Sequence, residues 1–315
     1  MDDLQALADG LRNLPGVRAK AEIGLVADVL GDGDWYAGPG DDGAVLPGGE
    51  GSIVVGGEAM LPAFVAADPY GAGVSAVLAN VNDLAAMGAR PVALVDTVVG
   101  STQVAREVLR GMRWAGRLYD VPIVGGHLTR TDGPPAVSAF GIGRAVRVLS
   151  ALHTAPGQSL VVGACIEGVM RTDFPFFPSF DERGDRLARD VRLLPQLAES
   201  GLAVAAKDVS MAGLVGSLAM LLEPNRLGVE LDLDVLPAPA GVPLADWLGC
   251  FPCYAFVLTS PADRAPECVA AFHDRGLSAA VVGTLDGTGQ VRLRQGASTA
   301  VVFELATEGI TYLRR

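Results

Sequence analysis

Apolar residues recur at helical spacing near the start of the chain, at Leu4, Leu7 and Leu11 and again at Ile23, Val26 and Leu30, which predicts helix there. Gly and Asp dominate 31–43, a loop by composition. Short strands are expected at 43–46 and 52–56. Asp68 and Pro69 open a long helix, the Asp as N-cap and the Pro in the first turn. Val74, Val77, Leu78, Val81 and Leu84 give that helix a continuous buried face, and Gly88 ends it. A strand over 91–99, a helix over 102–119, a buried strand closing on Val124-Gly125-Gly126 and a strand over 136–146 follow.

This alternation gives the first half α/β character. Small and polar residues interrupt it at 149–157, so the chain is expected to divide into domains at 1–150 and 151–315. The second half reads as an amphipathic helix over 185–200 and an apolar helix over 211–222. Strands follow at 254–259, 279–283, 291–294 and 300–303. The expected fold class is an α/β N-terminal domain plus an α+β C-terminal domain. No internal repeat of fixed period is visible.

Composition narrows the partners. The 315 residues carry 36 acidic and 24 basic side chains, a net charge of -12, with no dense basic run. Nucleic acid is therefore not expected as a partner, whereas a small phosphorylated ligand is compatible, since local cations and backbone amides act at short range. Only Lys20 and Lys207 are lysines; Arg supplies the remaining cations. The chain shows neither a signal-like apolar core at its acidic start nor a run of about 20 apolar residues, so a cytoplasmic protein without a membrane span is expected. Cys250 and Cys253 form a Cys-x-x-Cys pair without a second pair at zinc-site spacing, and they flank an apolar stretch, which favours buried inert thiols.

Four segments set carboxylates or glycines where chemistry can use them. Gly40-Asp41-Asp42-Gly43 precedes a strand; it serves as a turn, but adjacent carboxylates on a glycine loop also suit Mg²⁺ and its oxygen ligands. Asn80, Asn82 and Asp83 interrupt an otherwise apolar helix, and Asn80 and Asp83, three apart, share a face directed either to solvent or to a ligand. Gly125-Gly126-His127 follows a buried strand, where backbone N–H groups can cradle a phosphate and His127 can orient it, although a lone histidine is often structural. Lys207-Asp208 leads into the apolar helix: Lys207 suits a phosphate, and Asp208 suits either Mg²⁺ or a helix N-cap worth about 1 kcal/mol. Neither a P-loop nor a dinucleotide fingerprint is present in its required context.

In this order and spacing the segments resemble the AIR synthase-like superfamily. The most specific piece is Val81-Asn82-Asp83-Leu84-Ala85-Ala86-Met87-Gly88-Ala89-Arg90-Pro91. The resemblance spans 40–222 and implies a homodimer joined through N-terminal sheets, with ATP held through Mg²⁺ by acidic side chains. Carried onto this chain, the metal candidates are Asp41, Asp42, Asp83 and Asp208, with Asn80, Asp96, Gly125 and Gly126 beside the nucleotide. Lys207, Asp208 and His127 are the catalytic candidates, and Glu58 stands where relatives place an Asp. The shared chemistry is transfer of the ATP γ-phosphoryl group, in which positioning and charge neutralisation do most of the work.

Departures separate this chain from several members of that family. Its first cysteine is Cys165, it ends Leu313-Arg314-Arg315, and it has Gly125-Gly126-His127-Leu128 where the thiamine-monophosphate kinases have Gly-Gly-Asp-Thr. The expected activity is phosphoryl activation of a carbonyl, amide or amidine oxygen of a small metabolite, as in a ligase or cyclase. The alternatives are a small-molecule kinase and a non-catalytic nucleotide-binding subunit. The segment 170–183 concentrates Phe and Pro with Arg171 and Arg183, and is expected either to offer Arg171, Phe174 and Arg183 to an anionic substrate or simply to anchor itself.

Overall fold

A computed structural model of the chain describes residues 2–31 and 40–313; of the loop expected at 31–43, residues 32–39 lie outside the described residues, as do Arg314 and Arg315. The chain opens with three short helices, α1 (Asp2–Arg12), α2 (Pro15–Lys20) and α3 (Gly24–Leu30). Strands β1 (Ala44–Pro47) and β2 (Ser52–Met60), helices α4 (Pro62–Ala67) and α5 (Pro69–Ala86), strand β3 (Arg90–Gly100), helix α6 (Thr102–Leu118) and strands β4 (Ile123–Arg130) and β5 (Ala136–Ala145) follow. The second half contains β6 (Ser159–Ala164), β7 (Phe176–Phe177), α7 (Phe180–Arg183), α8 (Arg186–Asp190), α9 (Leu193–Glu199), β8 (Ala205–Asp208), α10 (Gly213–Leu222) and β9 (Gly228–Asp232). It closes with α11 (Leu244–Gly249), β10 (Phe251–Pro252), β11 (Ala255–Ser260), α12 (Ala265–His273), β12 (Ser278–Asp286), β13 (Gln290–Gln295) and β14 (Ser298–Glu304).

These elements form two compact units, each drawn from separate stretches of chain. Asp42–Val148 and Gly184–Gln196 make one; Met1–Asp41, Leu149–Arg183 and Leu197–Arg315 make the other. The first is built on a five-stranded sheet in the order β1-β2-β5-β3-β4, in which only the β3–β4 pairing is parallel. Helices α5 and α6 pack together in this unit, and α5 lies against β2, β3 and β5. The start of α5 is as its residues dictate: the Asp68 carboxylate accepts from Gly71 N–H at 2.8 Å, and Pro69 occupies the first turn.

Glycine permits these close contacts. A methyl group at Gly111 of α6 would overlap the Tyr70 carbonyl, and one at Gly73 of α5 would overlap the Val108 carbonyl, so the two helix backbones touch at these positions. Under α5, a Cβ on Gly141 would lie 3.2 Å from the Asn80 Cβ and 3.0 Å from Leu84 Cδ1, and one on Gly143 would lie 2.9 Å from the Ala89 Cβ. Glycines on β5 thus form the floor on which the second half of α5 rests.

The other unit holds a seven-stranded sheet in the order β14-β13-β9-β12-β6-β11-β8, with the pair β7–β10 beside it. Every residue of α10 is buried, which is what its uninterrupted apolar sequence requires. Glu223, just after α10, accepts from the N–H groups of Ile310 and Thr311 and from the Thr311 hydroxyl, at 2.8–3.2 Å, and so ties down the last described segment. The single amphipathic helix expected over 185–200 is instead two pieces, α8 and α9. No described helix is long and apolar enough to cross a membrane.

The α5–α6 contact makes a direct prediction. Gly111→Ala places a methyl against the Tyr70 carbonyl and is expected to destabilise the protein by about 1–3 kcal/mol. A fall in the urea midpoint with an unchanged slope is the expected readout; an unchanged midpoint would show that the helices do not meet at this glycine.

Candidate functional site

In the five-stranded unit, the end of α5 and the loop before β1 bring two carboxylates together. Oxygens of Asp42 and Asp83 lie within 4.8 Å of each other, and Asp83 is only 7 % exposed. Gly56 of β2 sits beside both: a Cβ there would meet the Asp42 carbonyl at 3.5 Å, the Asp83 Cβ at 3.9 Å and Asn80 Oδ1 at 3.9 Å. Asn80, expected beside a nucleotide, is fully buried, and its Nδ2 donates to the carbonyls of Ala76 (2.8 Å) and Ala139 (3.2 Å). Its Nδ2 therefore staples α5 to β5 one turn before Asp83, while its Oδ1 is buried with no hydrogen-bond partner among the described residues. Asn82 is buried as well.

The sheet adds a second acidic feature. Glu58 of β2 pairs with Ala139 of β5, Ala139 with Asp96 of β3, and Asp96 with Gly126 of β4, so these four residues form one row across four strands. Gly126 is required there, because a Cβ would lie 2.6 Å from the Asp96 carboxyl group. Burial raises the Asp96 carboxyl above its ordinary range. The glycine pair does not form the phosphate-cradling turn expected after a strand: β4 continues through Gly125, Gly126 and His127 to Arg130, which commits those backbones to pairing with β3. His127 lies exposed on this edge strand.

The other candidates belong to the seven-stranded unit. Asp41 directs its oxygens to the Ser150 hydroxyl (2.6 Å) and the Ala151 N–H (2.8 Å), a tie within the loop that starts at Leu149. Lys207 is buried in β8, and its Nζ donates to the Gly40 carbonyl at 3.0 Å, at the base of the Asp41-Asp42 turn. Asp208 is buried at the end of β8 and does not cap α10: that helix begins five residues later, and Ala212 precedes it without a side-chain cap.

The aromatic segment anchors itself in large part. Phe177 is buried edge-on against Trp247 at 5.3 Å, and Phe176 meets Phe180 and Phe251. Arg183, expected to face an anion, is 2 % exposed and donates to the carbonyls of Gly276 (3.1 Å) and Arg275 (2.9 Å), so its guanidinium is a buried strut. Arg171 makes a two-point contact with Asp173 at 2.9 and 2.6 Å, which lowers the Asp173 carboxyl to about 2, and Phe174 is exposed. Cys250 and Cys253 are fully buried, and desolvation pushes both thiols up to about 12, so both stay protonated and inert at neutral pH.

The buried Asp96 sets a pH test. Its carboxyl is raised in the fold, so the folded state binds more protons and stability falls as pH climbs from the unfolded value of about 3.9. Asp96→Asn is expected to stabilise the protein at pH 7, and the gain should shrink as pH falls below that value. Urea denaturation at pH 7 and pH 3.5 reads both, and a variant less stable at pH 7 would show that the charged form is well satisfied.

Known proteins bear on this arrangement. Residues 40–145 match the model of the AIR synthase related protein N-terminal domain, and 171–295 match that of the AIR synthase related protein C-terminal domain. Protein sll0787 of Synechocystis is 33% identical over 309 residues, 96% of this chain and 96% of its own length. Among solved structures, T. maritima PurL complexed with ADP superposes with a TM-score of 0.74 at 20% identity, covering 88% of this chain and 46% of that one. AaThiL complexed with AMPPCP and TMP superposes at 0.66 and 17% identity, covering 89% and 96%. The chain thus spans about half of the PurL chain and nearly all of AaThiL. With both family domains matched in order and a relative aligned along nearly its whole length, the chain belongs to the AIR synthase related family.

Proposed function

We propose that this protein is an ATP- and Mg²⁺-dependent enzyme that activates a carbonyl, amide or amidine oxygen of a small metabolite by phosphorylating it. The observation that carries the reading is the Asp42–Asp83 pair. Asp83 lies in the last turn of α5, where the helix carbonyls already concentrate negative charge. A second carboxylate within 4.8 Å adds repulsion that a hard divalent cation relieves, since such an ion takes oxygen ligands and keeps positions for water and phosphate. When bound, Mg²⁺ neutralises and orients phosphate oxygens.

The chain's own residues then do positional work. Asn80 and the β5 glycines hold Asp83 in place, and Gly56 leaves the space beside it open. Lys207 fixes the base of the aspartate turn through Gly40, and Lys207 and Asp208 are retained in this proposal as the cation and carboxylate that the family resemblance assigns to the reaction. In the transfer, the bond from the γ-phosphorus to its bridging oxygen breaks, ADP leaves, and a bond forms to the substrate oxygen. That phosphate then departs with the substrate oxygen, either displaced by an attacking nitrogen or eliminated as the neighbouring nitrogen gives up a proton. A second reading, a kinase whose phosphorylated compound is the final product, is favoured by the match in length to AaThiL. Release of inorganic phosphate distinguishes the first reading from the second.

Isothermal calorimetry with a non-hydrolysable ATP analogue tests the site. Binding is expected to require Mg²⁺ and to weaken at least about tenfold, or 1.4 kcal/mol, in Asp83→Asn. Binding that ignores both would remove the carboxylate pair from the nucleotide site.

We also propose a homodimer formed through the sheet face opposite α5. Val92 and Phe140, 47 % and 42 % exposed, stand on that face, and Phe140 lies over Gly57 with Ile142 and Val55 nearby in the ladder. Phe140→Asp is expected to halve the mass measured by light scattering while leaving the far-UV spectrum unchanged; a monomeric parent protein would defeat this proposal.

A further inference from the structure

The outward face of α6 carries a charge pattern opposite to that of the chain. Its exposed residues after the first turn are Arg106, Leu109, Arg110, Arg113, Trp114 and Arg117, with no acidic side chain among them. Acidic residues outnumber basic ones 36 to 24 in the whole sequence, so an all-arginine face is not what a merely solvating surface of this chain would show. The four arginines follow one another by four, three and four residues, which stacks them in a single stripe about 16 Å long.

Nearby acids account for little of this charge. Glu107, on the flank, pairs with Arg110 at 3.0 Å; Asp120 faces Arg192 at 3.7 Å; Asp185 borders the groove beside Trp114. Among the described residues, Arg106, Arg113 and Arg117 make no ion pair, and neither does Arg130, which lines the groove between α6 and the edge strand β4. Arg192 is already engaged, donating to the carbonyls of Tyr119 (3.0 Å) and Asp120 (2.9 Å) at the end of α6.

The stripe is interleaved with apolar surface. Leu109, 41 % exposed, and Leu128 of β4 line the groove on the β4 side of the stripe, while Trp114, 38 % exposed, lies on its other flank in a separate groove with Tyr70 of α5. A single phosphate spans too little of the stripe to engage four guanidinium groups. A bare polyanion would leave the Leu109 and Leu128 surfaces in water. An amphipathic helix with acids at the same spacing satisfies both, because its carboxylates meet the arginines in forked pairs while its apolar side covers Leu109 and Leu128 in the groove beside β4.

We propose that the Arg106–Arg110–Arg113–Arg117 face of α6, with Arg130 and the apolar groove beside it, docks an acidic amphipathic helix of a partner protein. Fluorescence anisotropy on the intact protein tests it with a labelled helical peptide bearing Glu at positions i, i+4, i+7 and i+11 and Leu between them. The control peptide has the same composition with its Glu and Leu dispersed around the helix. The ordered peptide is expected to bind at least about tenfold more tightly than the dispersed one, and to weaken by a similar factor between low salt and about 0.3 M. The triple change Arg106→Glu, Arg113→Glu and Arg117→Glu should abolish that preference while the thermal midpoint and ATP-analogue binding stay as in the parent. The corresponding Arg→Gln triple variant, a gentler change, should weaken it too. Equal binding of the two peptides, or full binding by a folded Gln variant, would overturn the proposal. Tighter binding of a labelled oligo-dT strand would also overturn it, in favour of nucleic acid, as would self-association lost on charge reversal, in favour of a second copy.

Discussion

The five-stranded unit depends on how closely α5 can approach its sheet. Where the helix sits nearest the sheet there is little space for side chains between them, so β5 supplies glycine at Gly141 and Gly143. The cost of that choice is real, because glycine in a strand loses more conformational entropy than any other residue and contributes no side-chain packing. What offsets it is the buried apolar face of α5 and the Asn80 amide, which bridges the helix carbonyl of Ala76 and the strand carbonyl of Ala139. Both N–H groups of this buried amide are satisfied, whereas its Oδ1 has no partner among the described residues, which leaves part of the cost of burial in place.

That same approach sets the position of the carboxylates. The Asn80 amide ties α5 to β5 one turn before Asp83, whose carboxylate lies within 4.8 Å of that of Asp42. Asp96 is placed by a different device, the β-ladder, and it finds space only because its neighbour on β4 is Gly126. At Asp96 burial works against the charge of the carboxyl group, and the fold accepts that penalty on a strand that is otherwise largely apolar. Such local conflict between stability and chemistry is the usual mark of a site rather than of a core.

Much of this was legible in the residues. The Asp68-Pro69 start of α5, its apolar face and the intrusion of Asn80, Asn82 and Asp83 are all local signals, and the structure reproduces the helix almost to the residue. The positions that misled are those decided by long-range pairing. Gly125-Gly126 reads as the end of a strand, but pairing with Val95 and Asp96 and beyond carries the strand on to Arg130. Arg183 reads as a free cation in an irregular loop, yet the carbonyls of Arg275 and Gly276, about ninety residues away, claim it. Asp208 reads as a cap, but pairing with Phe256 keeps it in β8. In each case the local propensity was sound, and a partner distant in sequence overrode it.

The two basic elements that stand out in this acidic chain serve opposite ends. Lys207 is buried and donates to the Gly40 carbonyl, so its charge acts at short range beside Asp41. The α6 arginines are exposed and mostly unspent, so their field reaches into solvent for about a Debye length. A chain of net charge -12 repels anions at a distance, and any anionic ligand or partner must therefore be met by a local concentration of positive charge. Burial makes such a concentration selective for one contact, and exposure makes it available to many.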